Sequence, residues 1–328
     1  MNQYDPSMTH MSLHPSTARR LSNTTKTTPM MDSITPRWFL DFLPWVGVEA
    51  GTYRVNRIKK GQDMHDSVNE YGEKMIAANH RPINEDSISE TYPDYEDEPR
   101  EYMLSMIQTI LRLNTNVTDI FNSPIDQKQE QMRLTIEAMK ERQEWELINN
   151  AEFGLLSTAS PDMYVKARRG APMPDDLDEL LAKVWKKPAF FLAHPKAIAA
   201  FGRECTRRGV PPVAVNIFGS PFMTWRGVPL VPCDKLLVGN RSHSSAPGGR
   251  TSILLLRVGE KEQGVVGLHQ PGIPDETHVP SLSMKLGGID NRGIASYILS
   301  LYFSIAVLAD DALGVLENVE VGNYYDYK

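Results

Sequence analysis

Hydrophobic and polar positions change their spacing several times along the chain, and each change marks an element. Residues 1–35 are polar and rich in Thr and Ser, without an apolar run, and cannot fold alone. Residues 36–46 then place two Trp and two Phe within eight positions, Trp38 to Trp45. Such a cluster buries a large apolar area at about 25 cal/mol per Å². It must dock on the chain's own core or on a neighbouring chain. The second reading makes Trp38, Phe39, Phe42 and Trp45 inter-subunit anchors of an N-terminal arm.

Residues 51–58, GTYRVNRI, alternate as a strand does. Residues 82–99 carry three Pro and many acids and read as an exposed excursion. Residues 101–117 fit a returning strand, although Met103, Met106, Ile107 and Ile110 also fit helical spacing. Ser123-Pro124 starts the clearest helix, residues 126–150, free of Gly and Pro. At 1.5 Å per residue it is about 37 Å long. Its apolar face (Met132, Ile136, Met139, Trp145, Ile148) is imperfect, and Arg133/Glu137, Lys140/Glu144 and Arg142/Glu146 have the i, i+4 spacing. Helices are predicted at 175–186 and, with Pro in the first turn, at 195–207. Short strands are predicted at 189–192 and in VAVNIF, VPLVP, KLLVG, SILLLRV and GVVGLH. Residues 239–250, GNRSHSSAPGGR, form a small polar loop. From Ser296 to Leu308, large residues alternate with smaller ones, which predicts a long strand. Asp310-Asp311 turns the chain into a second strand at 312–321.

Composition adds less. The 328 residues are 41% hydrophobic and 23% charged, like an ordinary globular protein. The net charge of −6 argues against a general nucleic-acid coat. It conceals a contrast: residues 1–60 hold eight Lys/Arg against four Asp/Glu, and residues 61–100 hold three against eleven. Two cysteines, Cys205 and Cys233, suit a reducing compartment. No secretory signal precedes Pro36, so the sequons at Asn23 and Asn116 read as chance. The uncharged run Gly293–Ala309 is short for a membrane span and interrupted by Ser296, Ser300 and Ser304.

Catalytic signatures are missing. There is no phosphate-binding Gly loop, no dinucleotide fingerprint and no nucleophile elbow. The eight His show no ligand spacing, which argues against a metal site. His194, before Pro195, reads as structural; His269 and His278 flank QPGIPDET without a partner. Asp175, Asp176, Asp178 and Glu179 open a helix, where acids meet its dipole favourably. Cys205 has Arg203, Arg207 and Arg208 nearby but no base. A soluble enzyme is therefore the weakest class.

The order of pieces resembles tailed-phage major capsid proteins, an α+β fold with an N-terminal arm, an extended loop, a peripheral domain with a spine helix, and an axial domain. Longer blocks are more specific. NTTKT at 23–27, ITPRW at 34–38, LPWVGVEAGTYRVNR at 43–57, LTIEAMKERQEWELINNAEFGLL at 134–156, VPLVPCDKLLVG at 228–239 and LGGIDNRGIASYILSLYFSIAVLADDALGVLENVEV at 286–321 resemble the second encapsulin family. The resemblance runs from about residue 16 to the C-terminus, in the branch without a cyclic-nucleotide-binding domain. It implies an arm at 1–50, an extended loop region at 51–125, the peripheral domain with its spine helix at 126–174, the axial domain at 175–293, and closing strands with the tail at 294–328.

The same resemblance implies a non-enzymatic shell protein of a cytoplasmic, icosahedral encapsulin nanocompartment. Its partners would be many copies of itself and a cargo enzyme, typically a cysteine desulfurase with a disordered targeting segment. Pyridoxal phosphate would belong to that cargo, and the shell chain itself would hold no cofactor or metal, bind no nucleic acid and insert into no membrane. Sulfur metabolism or storage is the implied physiology. By topology, Arg208, Gly209, Val210, Pro211 and Pro212 would line a pore, with loop 239–250 as the rival. The alternatives are a phage-derived capsid that packages DNA and a peripheral membrane protein.

Overall fold

The computed structural model describes residues 36–49, 51–56, 95, 98–114, 127–239, 249–273, 276 and 281–324. The chain divides into two units, residues 52–103 and the remainder. In the first, β2 (Thr52–Val55) and β3 (Arg100–Met103) form an antiparallel ribbon. Tyr53 faces Tyr102, and Arg54 pairs with Glu101 at 2.8 Å across the strands. Most of the 82–99 excursion lies outside the described residues.

The second unit holds two sheets. The first has five strands: β1 (Trp45–Gly47), β4 (Ser105–Asn114), β11 (Val265–His269), β12 (Leu282–Ile289) and β13 (Ile294–Val307). β13 is its axis, pairing with β4 along 294–303, with β12 along 295–301 and with β11 along 303–307. Its period-two pattern is used as the sequence predicts: Leu299, Leu301, Phe303 and Ile305 face the core. β4 settles the strand-or-helix choice at 101–117 for the strand. It also places residues 105–114, within the expected extended loop region 51–125, in this sheet, where Ile107 and Leu111 pack on the core.

The second sheet has seven strands in the order β5-β14-β10-β6-β9-β8-β7, namely β5 (Tyr164–Lys166), β6 (Phe190–Ala193), β7 (Val213–Ile217), β8 (Ser220–Trp225), β9 (Val228–Pro232), β10 (Arg250–Leu256) and β14 (Leu313–Glu320). Its central strands are apolar on both faces. Phe190, Leu192, Leu254 and Leu256 face one core, whereas Phe191, Ala193, Ile253 and Leu255 face another. The first core is shared with the five-stranded sheet, the short helix α1 (Trp38–Phe42) and the long helix α2 (Gln127–Asn149). The second is covered by α4 (Pro174–Lys183) and α5 (Pro195–Arg207); α3 (Leu155–Thr158) is a single turn. Both closing strands form near their expected bounds. β13 and β14 do not pair; they belong to different sheets, and so do β10 and β11 inside the expected 175–293 segment.

Helix α2 explains its own imperfect stripe. Arg142 pairs with Glu146 at 2.6 Å as predicted, but Arg133 turns back to Glu130. Glu137 and Glu144 face Arg37 from the arm instead. The inward face thus holds acids reserved for a partner 100 residues away. KLLVG at 235–239 is a turn, not a strand, because Lys235 is held by Glu141 and Asp234 while its carbonyl accepts from Asn149.

Candidate assembly and pore surfaces

The aromatic root of the arm packs on its own chain. Phe39 is 0% exposed. Trp38 stacks on Phe218 at 6.2 Å and meets Phe222 edge-on at 5.3 Å; Phe42 lies 5.3 Å from Phe190 and 5.3 Å from Phe218. Trp45 donates its indole N–H to the Leu40 carbonyl at 3.1 Å, and β1 runs parallel to β11. A Cβ on Gly267, opposite Trp45, would sit 2.7 Å from the indole ring, so a glycine is needed there. Trp38, Phe39, Phe42 and Trp45 thus dock on the chain's own core, the first of the two alternatives, while Trp38, Phe42 and Trp45 stay half-buried and keep surface that a neighbouring chain could meet. The reason is local: the β7–β8 hairpin puts Phe218 and Phe222 where the four residues arrive. Phe218 adopts φ 49° and Gly219 φ 76° at that hairpin turn, and the Trp38 and Phe42 rings hold Phe218 in this uncommon setting.

Arg37 completes the attachment. Its guanidinium donates to the Glu137 carbonyl at 3.1 Å and lies 3.7 Å from the Glu144 carboxylate. Burial pushes the Glu144 carboxyl up from its ordinary value, against the Cys233 thiol, which donates at 3.4 Å, and the Arg37 charge. Glu144, Cys233 and Asp234 bring three ligand-type atoms within 4.8 Å of one another. Burial also raises the Cys233 thiol strongly, so it stays protonated, and Arg37 and Lys235 already neutralise the carboxylates. The donor set does not suit a cation.

The predicted pore segment is the end of α5 and the loop beyond it. Val210 N–H bonds the Cys205 carbonyl at 3.0 Å and Gly209 N–H the Thr206 carbonyl at 3.1 Å, with Gly209 at φ 71°. This is a Schellman ending, which calls for Gly at that position. Arg208 lies 3.5 Å from Glu204 and donates to the Met173 sulfur. Arg208, Gly209, Val210 and Pro211 are exposed and Pro212 is half-buried, so the five share one surface. They lead into β7, the free edge of the seven-stranded sheet, whose Val213 is 69% exposed. In the rival loop, Gly239 and Arg250 exchange backbone hydrogen bonds, and residues 240–248 lie outside the described residues.

The remaining chemistry-bearing residues are structural. His194 caps α5, its Nδ1 accepting from Lys196 N–H at 3.0 Å, and burial followed by the Lys196 charge lowers its pKa. Cys205 is buried and pushed up to about 11, too high for a nucleophile at neutral pH. Asp176 accepts from Met173 N–H at 3.1 Å, and Asp178 accepts from the Trp225 indole and Arg226. His278 lies outside the described residues.

A family model described as "Type 2A encapsulin shell protein SrpI-like" matches residues 61–323. The chain belongs to the type 2A encapsulin shell proteins. It is 54% identical over 311 residues to the shell protein SrpI of Synechococcus elongatus, covering 95% of each chain. It is 50% identical over 311 residues to the type 2A encapsulin shell protein of Mycolicibacterium paratuberculosis, again covering 95% of each. Its structure is similar to that of the holo-SrpI encapsulin complex of Synechococcus elongatus, with a TM-score of 0.78 and 51% identity over 97% of this chain and 100% of that one. The capsid protein of a native GTA particle matches at a TM-score of 0.58 and 11% identity over 90% of this chain and 94% of that one, which shows the shared phage-capsid fold. This encapsulin chain is accordingly a structural shell protein of a multi-copy nanocompartment rather than an enzyme. Among the described residues, no helix is long and apolar enough to cross a membrane.

Proposed function

We propose that many copies of the chain close into an icosahedral cytoplasmic shell around a cargo enzyme, a cysteine desulfurase that brings its own pyridoxal phosphate. The cargo enters through a disordered targeting segment, and the compartment serves sulfur metabolism or storage. The observation that supports the reading is the likeness to SrpI across nearly the whole chain, in sequence and in the holo complex. Purified particles should appear as closed shells by negative stain, and mass spectrometry should find a pyridoxal-phosphate enzyme among the co-purifying proteins. Empty shells from the native host would defeat the cargo reading while leaving the shell intact. A 260/280 nm absorbance ratio typical of nucleic acid would favour the phage-capsid alternative.

The pore belongs to the same proposal. Arg208 to Pro212 line an opening through which small solutes reach the cargo, and the charge of Arg208 biases entry toward anions. Arg208→Glu should slow entry of an anionic solute into loaded shells. Unchanged entry would move the pore to another loop, with 239–250 next in line.

A further inference from the structure

The chain passes between its two sheets by two short crossings, residues 257–264 from β10 to β11 and residues 308–312 from β13 to β14. They lie side by side. Arg257 N–H bonds the Ala312 carbonyl at 2.9 Å, Val265 N–H the Arg257 carbonyl at 2.7 Å, and Leu308 N–H the Gly264 carbonyl at 3.2 Å. Between them lies an ion pair, Arg257 Nη2 to Asp311 Oδ1 at 2.6 Å. Arg257 is 3% exposed. A third connection, from α4 to β6, joins from outside: Lys186 reaches the other Asp311 oxygen at 3.1 Å, and Lys187 pairs with Glu262.

Stability alone does not account for this pair. Nε and Nη1 of Arg257 are buried and have no hydrogen-bond partner among the described residues. A buried guanidinium satisfied on one side is costly, and apolar residues of similar volume are often at least as stable in such a place. What the pair supplies is direction. The two sheets share an apolar core, and apolar contact is non-directional. It holds the sheets together without fixing the angle between them. A short charged contact bridging both crossings adds a directional side-chain tie to the backbone hydrogen bonds there.

We propose that the Arg257–Asp311 pair is a clamp that sets the angle between the two sheets, and thereby the angle at which copies meet in the shell. The second half of this statement rests on closure into a shell.

The test is the double variant Arg257→Met/Asp311→Leu, which puts an apolar side chain of near-arginine volume at the buried position and removes both charges. Asp311→Asn, which keeps the shape, accompanies it, and Lys187→Met, which breaks only the outer pair, is the control. Circular dichroism reads the fold, negative stain and native mass read particle size, and hydrogen exchange reads the amides of Arg257, Val265 and Leu308. The double variant should fold and give particles of more than one diameter, or open fragments, with those amides exchanging about tenfold faster. Asp311→Asn should show a smaller broadening, and Lys187→Met should match the wild type. Uniform particles of wild-type diameter from the double variant would overturn the proposal. Failure of both clamp variants to fold would also overturn it, because the pair would then serve stability. If the wild-type chain itself gave no particles, the shell reading would fail; faster exchange in the isolated double variant would still support the clamp, and unchanged exchange would refute it.

Discussion

Replacing Arg37 by Met tests how the arm is held to helix α2. The substitution keeps an unbranched apolar stem, shorter than arginine, and removes the charge 3.7 Å from Glu144. The Arg37 and Glu144 side chains are 10% and 5% exposed, so water replaces little of what is lost. Removing one partner of a buried pair costs about 3–5 kcal/mol, mostly the penalty of the charge left behind. The lower end applies here, since Glu144 keeps the Cys233 thiol as a donor and Lys235 nearby. The cost must depend on pH. Burial already raises the Glu144 pKa above its unfolded value, and loss of Arg37 raises it further. A carboxyl raised on folding favours the native state below its unfolded pKa, and that contribution disappears as pH rises through the folded value. Arg37→Met should therefore lose most at pH 8 and clearly less at pH 5. At about 2 °C per kcal/mol, the loss at pH 8 is about 6 °C in Tm. Thermal denaturation at both pH values reads it, and Arg37→Met/Glu144→Gln should recover most of the deficit. Equal losses at pH 5 and pH 8, or no rescue by Gln, would refute the argument.

Gly267→Ala drives a methyl into the Trp45 indole; it should cost about 1–3 kcal/mol and red-shift tryptophan emission as β1 loosens. Phe39→Ala empties a fully buried site and should cost about 3–5 kcal/mol in a urea titration. Gly209→Ala meets no neighbouring atom but keeps φ 71°, so the backbone alone should cost about 1–2 kcal/mol, with particle size unchanged. His194→Ala removes the α5 cap and should cost about 0.5–2 kcal/mol at pH 8. Burial lowers the His194 pKa, so the wild type loses this contribution as pH falls through the unfolded value, and the variant should be less sensitive to acid there.

Elements whose pattern is local were legible. Helix 195–207 is read to the residue because Pro195 opens it and Gly209 follows its end. The long β13 is read from its period, since both its neighbours and its core obey that period. β8 and β12 escaped because their signals are mixed. Ser-Pro opens β8, and Lys285, Gly287 and Gly288 break the apolar run of β12, where the register shifts between Leu286 and Gly288. Domain membership was less legible than element type. Nothing in Asp310-Asp311 says that β13 and β14 part company, because sheet assignment depends on contacts far apart in sequence. The same holds for the arm root: Trp38, Phe39, Phe42 and Trp45 announce a docking site, but their partners Phe190, Phe218 and Phe222 emerge only on folding. Arg37 left a signal that was available: two acids on the inward face of α2, seven positions apart, imply a buried cation to meet them.

Beyond the half-buried aromatic root, apolar surface available to neighbours lies on both sheets. On the outer face of the five-stranded sheet, Ile110 faces Ile298 and Met106 faces Tyr302, and Met106, Ile110 and Ile298 are exposed. On the other sheet, β7 presents a bare edge with Val213 and Val215 exposed and no charged residue along it. Soluble monomers usually guard an edge strand with Lys, Pro or a bulge. Between Val213 and Ile217 this chain does none of these. One two-fold contact covers both of these surfaces only where the two meet each other across the axis. Heterologous contacts that close on themselves can cover both. Exposed apolar surface on both sheets suits a chain that packs against several copies of itself, in keeping with its kinship with the type 2A encapsulin shell proteins.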